Sequence, residues 1–222
     1  MAIPRLPFVL LLGALLLSAC ATRSISDAGF PHTPGNRNAL YRGELSDFDV
    51  VGRFAAASDA AAGVALPPRA HVLVVQSGAL FPDEVMLAEL GRHFEVAAAS
   101  GVPLAEGYGE RGMLAAAARG GFDAVVAYWG MLESQQDSDA SAWVPVAGLF
   151  FSSTTQKMRL RLRVVVGDAR TGQWRSLLTV PKSDERRTSL VGSEGSDRDQ
   201  VELVKREGYG AAAEAVAALV RR

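Results

Sequence analysis

Cysteine is almost absent. Cys20 is the only one in 222 residues, and a single thiol closes no disulfide within the chain, so no disulfide framework holds the fold. Histidine is scarce, with three in the chain, and H-E-x-x-H does not occur, so no metal centre is expected. An excess of either charge is missing too: 23 Lys and Arg face 24 Asp and Glu. A general nucleic-acid binder would be basic overall, so no nucleic-acid partner is expected. No apolar run reaches the roughly 20 residues that a membrane-spanning helix needs. G-x-S-x-G is absent; Ser193, in Gly192-Ser193-Glu194-Gly195, lacks that spacing.

What is present begins at the amino terminus. Arg5 is the lone charge there, an apolar run follows from Leu6 to Leu17, broken only by Pro7 and Gly13, and the small residues Ser18 and Ala19 end it. A charge, a short apolar core and small residues are the layout of a secretory signal peptide, read here as residues 1–19. Leu17-Ser18-Ala19-Cys20 resembles the lipobox of bacterial lipoproteins. The resemblance implies cleavage after Ala19, acylation of Cys20 and a mature chain that starts at that residue. The lone thiol is then an anchor and not a nucleophile. One acyl chain binds a bilayer only marginally, at about 0.8 kcal/mol per buried methylene, whereas the several chains of a mature lipoprotein hold effectively permanently. Ala21 follows the cysteine. By the sorting rule of Gram-negative lipoproteins, the lack of Asp there implies the outer membrane, with the domain facing the periplasm.

Residues 20–69 are rich in Ala, Gly, Pro, Ser and Asp, as in Pro31-His32-Thr33-Pro34-Gly35-Asn36, and read as a tether. Phe48, Val50, Val51 and Phe54 could form one short element within it. A flexible stretch of about 40 residues spans roughly 35 Å, enough to stand a domain clear of the membrane.

Residues 70–222 read as one α/β domain. His71 to Gln76 is a continuous apolar run of strand length, suited to a strand covered on both faces. Pro82-Asp83-Glu84 opens a helix, with proline in the first turn and carboxylates at the positive dipole end. Its expected stripe is Val85, Leu87, Leu90 and Phe94. Phe94-Glu95-Val96 starts a second strand, Glu110 to Arg119 a second helix, and Asp123 to Tyr128 a third strand. From Lys157 to Val166 the pattern alternates, as in a strand with one wet face. Asp168 to Gly172 is turn chemistry and Gln173 to Val180 its antiparallel partner. Ser183 to Asp199 reads as a charged loop, and a final helix runs from about Asp199 to Arg222, weakened at Gly208 and Gly210. The order βαβαβ, hairpin, helix implies a mixed β-sheet with helices packed on it.

This order and two phrases, Gly121-Phe122-Asp123-Ala124-Val125-Val126 and Val164-Val165-Val166-Gly167-Asp168-Ala169-Arg170-Thr171-Gly172, are similar to the periplasmic α/β domains of envelope lipoproteins such as CsgG and LpoB, and to the amino-terminal domain of TolB. The resemblance implies an accessory or assembly role, with an envelope protein or a cell-wall component as partner, no cofactor and no catalytic residue to carry over. It leaves the oligomeric state open. The alternative is a periplasmic hydrolase, such as a peptidase, with scattered catalytic residues.

Four features compete for a functional role. Arg159, Arg161 and Arg163 lie two apart and form a basic row about 13 Å long, suited to an anionic or acidic partner or to a merely solvated face. Trp143, Phe150 and Phe151 bound an apolar segment that is either core or a partner-binding loop. Glu89 and His93, four apart, share a helix face and could be half a metal site, or a surface pair. Gly107-Tyr108-Gly109-Glu110-Arg111-Gly112 matches G-x-G-x-x-G, but no strand runs into it, which favours a plain loop.

Overall fold

A computed structural model describes residues 20–26, 45–52, 64–102, 112–138, 144–146, 149–151, 153–189 and 193–220. In chain order the elements are β1 (Cys20–Ser24), α1 (Asp47–Val51), β2 (His71–Gln76), α2 (Glu84–Gly91), β3 (Glu95–Ala99) and α3 (Gly112–Arg119). Then follow β4 (Ala124–Ser138), β5 (Val144–Val146), β6 (Leu149–Phe151), β7 (Ser153–Asp168), β8 (Trp174–Leu178), β9 (Lys182–Ser189) and α4 (Ser193–Val220).

Seven strands form a mixed sheet in the order β3-β2-β4-β7-β8. The parallel pairs β2–β3 and β2–β4 come from βαβ crossovers through α2 and α3. Two long strands, β4 and β7, are the spine: they pair antiparallel from Ala124↔Asp168 to Ser138↔Thr154. Because they outrun their neighbours, each outer edge holds two strands end to end. On β4 these are β2, against 124–128, and β1, against 131–135. On β7 they are β8, against 163–167, and β9, against 153–160. Strands β5 and β6 form a separate two-stranded hairpin.

One face of the sheet is covered along its length. Val72, Val74, Val126, Tyr128, Leu160, Leu162 and Val164 are buried there against Met86 and Leu90 of α2 and Val204, Tyr209, Ala213, Val216 and Ala217 of α4. Each fully buried Val or Leu contributes about 1.5–3 kcal/mol of transfer free energy. Among the described residues, the other face is covered at the parallel end. There Leu45, Val50, Val51, Met113, Leu114 and Ala117 pack on Val75, Val125, Ala127 and Val165. The cover stops at Trp129, whose Nε1 donates to the Leu45 carbonyl at 2.8 Å. Beyond that residue no described helix lies on this face of β4 and β7, and Met131, Lys157, Arg159 and Arg161 are exposed on it.

Several sequence expectations are corrected. The third strand does not end at Tyr128 but runs to Ser138, and the charged loop expected from Ser183 is strand β9 followed by a helix that begins at Ser193. In α2 the buried residues are Met86 and Leu90, with Val85 exposed. Gly208 and Gly210 do not split α4; Gly208 lets the helix approach the sheet, since a Cβ there would lie 2.6 Å from Leu160 Cδ2. Within the stretch read as a tether, residues 20–26, 45–52 and 64–69 are built into the domain: Ile25, Leu45, Val50, Val51 and Val64 are all buried.

Candidate functional site

The open face is built by strand register. Alternation along β7 sends Met158, Leu160, Leu162 and Val164 into the core and leaves Lys157, Arg159, Arg161 and Arg163 on the open side. The same pleat on β4 presents Trp129, Met131 and Glu133. Cross-strand rows follow from the pairing: Thr22, Glu133, Arg159 and Ser183 form one, and Trp129, Arg163 and Leu178 another.

The expected row of Arg159, Arg161 and Arg163 therefore exists, and Lys157 extends it at one end. Its members differ in environment. Arg161 ion-pairs with Glu133 on the neighbouring strand. Arg163 lies over the Trp129 ring at 5.5 Å and donates from Nε to Ser176 Oγ at 3.1 Å. Lys157 stands 3.9 Å from Glu185. Arg159 sits between these pairs and has no acidic partner among the described residues. It lines a groove of about 440 Å³ together with Thr22, Glu133, Lys157, Ser183 and Glu185. Guanidinium beside ammonium on an open face suits an anionic oxygen group, which Arg binds in a fork of two N–H donors.

Cys20, at the start of β1, occupies the register position opposite Gln135, which lines this groove. That strand is fixed at its other end by a polar cluster. Ser26 Oγ donates to the Ser77 carbonyl at 2.6 Å, Gln76 Nε2 donates to Ser26 Oγ at 3.2 Å, and Ser77 Oγ accepts from the Leu45 N–H at 2.7 Å. The cluster continues inward, where Tyr128 donates to Gln76 Oε1 at 2.6 Å. The Asp83 carboxylate takes the Tyr209 hydroxyl at 2.5 Å and Lys205 Nζ at 2.8 Å. Burial, and then the Asp83 charge, push the Tyr128 hydroxyl well above the ordinary phenol pKa; burial does the same for Tyr209, followed by its neighbours Tyr128 and Asp83.

The remaining sequence candidates fall elsewhere. Phe150 and Phe151 lie in β6, paired with Pro145 and Val144 of β5. Trp143, Ala19 and most of the glycine-rich stretch 107–112 lie outside the described residues. Glu89 engages Arg92 at 2.6 Å, and His93 stands 3.3 Å from Glu214. No three of His, Cys, Asp and Glu cluster among the described residues. Among the described residues, His93 lines a second depression with Arg69, Arg92 and apolar residues. The Asp168-Ala169-Arg170-Thr171-Gly172 phrase is structural: the buried Asp168 carboxylate caps the turn by accepting from the Arg170 and Thr171 N–H groups.

Sequence reasoning found the arginines through their alternation. It missed Glu133, Glu185 and Thr22, which join them only by cross-strand pairing that leaves no local signal.

The chain joins a mixed α/β domain to an amino-terminal stretch that resembles a lipobox, and among the described residues no helix is long and apolar enough to cross a membrane; this is the layout of a bacterial lipoprotein. A family model described as YafT bacterial lipoprotein matches residues 43–219. The chain belongs to the YafT bacterial lipoprotein family. Among curated proteins, none matches it. The family match does not extend to the likeness with the CsgG, LpoB and TolB domains.

Proposed function

We propose that this lipoprotein is held in the outer membrane by acyl chains on Cys20, faces the periplasm, and acts without catalysis, docking an anionic envelope component on the open face of its sheet. The observation that carries this reading is the row Lys157, Arg159, Arg161 and Arg163 on a face that no described helix covers, with Arg159 free of an acidic partner among the described residues. Ala21 after the cysteine supports the outer-membrane address. The depression that His93 lines is formed, among the described residues, by Arg69, Arg92 and apolar side chains, and nothing there favours the hydrolase alternative.

The test has two parts. On density gradients of bacterial envelopes the native chain should band with the outer membrane, and intact mass should place acyl groups on Cys20, while Cys20→Ser should leave the membrane. A Cys20→Ser chain that still bands with lipid would overturn the anchor. Crosslinking in intact envelopes should recover a specific anionic component, and Arg159→Glu should abolish the recovery. Recovery unchanged by that substitution would remove the open face from the reading.

A further inference from the structure

We infer that the open face lies flat against the membrane that carries the anchor, with Arg159 and its neighbours on the phosphates of anionic phospholipid headgroups. This deepens the docking reading above and rests on acylation of Cys20.

The position of Cys20 leaves little slack between lipid and sheet. A tether would let the domain roam roughly 35 Å from its lipid. Here the residue that would carry the lipid is the first of a strand in the sheet. β1 pairs with β4 from Cys20↔Gln135 to Ser24↔Met131, and the Ile25 N–H continues the ladder to the Gly130 carbonyl at 2.9 Å. Ile25 is 1% exposed, and Ser26 is tied to Ser77 and Gln76. Adjacent strands are about 4.8 Å apart, so β7 runs about 10 Å from β1. A bilayer holding chains on residue 20 is thus brought to the same end of the sheet as Lys157 and Arg159.

The chemistry of the face points to the same surface. Four cations alternate along β7 over about 20 Å; Glu133 engages Arg161, Glu185 stands 3.9 Å from Lys157, and Arg159 between them has no acidic partner among the described residues. Large apolar side chains stand among the cations. Met131, 47% exposed, pairs with Arg161; Leu178, 81% exposed, pairs with Arg163; Val180, 79% exposed, follows on the same edge. A soluble anionic polymer would draw on the charges alone. A headgroup layer draws on both, since the cations meet phosphates and the apolar side chains enter the acyl boundary.

The experiment exploits the lone cysteine. Once Cys20 carries lipid, a cysteine introduced at Leu178 is the only free thiol and takes a single fluorescent label. A label at Glu214→Cys on α4, a position whose native side chain is 71% exposed, is the control. The acylated protein is reconstituted in vesicles of phosphatidylcholine with or without phosphatidylglycerol. With the anionic lipid, the label at 178 should be shielded from a water-soluble quencher and reached by a lipid-borne one, and the label at 214 should remain in water. Arg159→Glu should cut the ratio of shielded to exposed label roughly tenfold or more, because one cation near an anionic surface contributes about 1 kcal/mol, a factor of about five, and reversal doubles the change in free energy. If the protein stays on the vesicles while 178 is as wet as 214, the inference falls and the anchor stands. Equal shielding without phosphatidylglycerol would overturn the assignment to anionic headgroups. Shielding that appears only when purified envelope proteins are added would give the face to a protein instead. Failure to associate with any vesicle would sink both the inference and the anchor beneath it.

Discussion

Tyr209 of α4 donates its hydroxyl to Asp83 Oδ2 at 2.5 Å, joining residues 126 positions apart. Lys205, one turn earlier on the same helix, donates to the same oxygen at 2.8 Å. The carboxylate at the entry of α2 is therefore what fixes the carboxyl-terminal helix in rotation over the sheet. Asp83→Ala strands a buried hydroxyl and a half-buried ammonium and should cost about 1–3 kcal/mol. Tyr209→Phe removes only the donor and should cost about 1 kcal/mol. Urea unfolding followed by circular dichroism should show both midpoints lowered, Asp83→Ala more, with the slope unchanged.

The same cluster should make the fold sensitive to alkali. Burial, then charge from Asp83, raise Tyr128; burial, then the neighbouring Tyr128 and Asp83, raise Tyr209. In the unfolded chain both hydroxyls lose their protons near pH 10. The folded state keeps them, so it binds more protons than the unfolded state above that pH. Stability from these groups is therefore complete below about pH 10 and declines as pH rises toward the folded values, by at most about 1.4 kcal/mol per pH unit for each group. Urea midpoints measured from pH 8 to 11 should fall above pH 10, and Tyr209→Phe should reduce that fall.

Much of the fold is legible because its central strands are covered on both faces. His71-Val72-Leu73-Val74-Val75 and Asp123 to Tyr128 declare themselves as apolar runs, and β7 by its alternation. The other elements are hidden for stated reasons. β9, Lys182-Ser183-Asp184-Glu185-Arg186-Arg187-Thr188-Ser189, lies on an edge with the open face on one side, so its strand state comes from pairing with β7 and not from its own composition. The far half of β4, Glu133-Ser134-Gln135, is polar for the same reason. β1 is short and its one large buried anchor, Ile25, stands just past its end. In the candidate site, alternation marks Arg159, Arg161 and Arg163, whereas the nearness of Cys20 to them is a matter of register, which local pattern does not carry.

Two glycines on α4 should respond in opposite directions to alanine. A Cβ at Gly208 would meet Leu160 Cδ2 at 2.6 Å, whereas one at Gly210 would meet the Glu89 carboxylate at ordinary contact distance, 3.7 Å from Oε2 and 3.9 Å from Cδ. Gly210→Ala gains helix propensity without a clash and should stabilise by about 0.5–1 kcal/mol. Gly208→Ala gains the same propensity but forces Leu160 aside or lifts the helix, and should destabilise by about 1–3 kcal/mol. Thermal unfolding of the two variants side by side would check the sign; a shared sign would mean that Gly208 does not set the distance between helix and sheet.

Whether the anchor strand belongs to the domain can be read from Ile25. Its side chain is 1% exposed and fills the space beside Gly130, where a Cβ would lie 2.7 Å from Ile25 Cδ1 and Cγ2. Ile25→Ala should therefore cost about 2–4 kcal/mol, as for other large-to-small changes in a core. Residue 25 of a free tether would cost nothing, because its side chain would be in water in both states. Urea unfolding of the Cys20→Ser chain, with and without Ile25→Ala, separates the two cases without interference from lipid. A lowered midpoint joined to slow hydrogen exchange at the Ile25 amide, which donates to the Gly130 carbonyl, would fix β1 in the sheet and with it the distance between lipid and basic row. An unmoved midpoint would release the strand and return 20 to 26 to the tether.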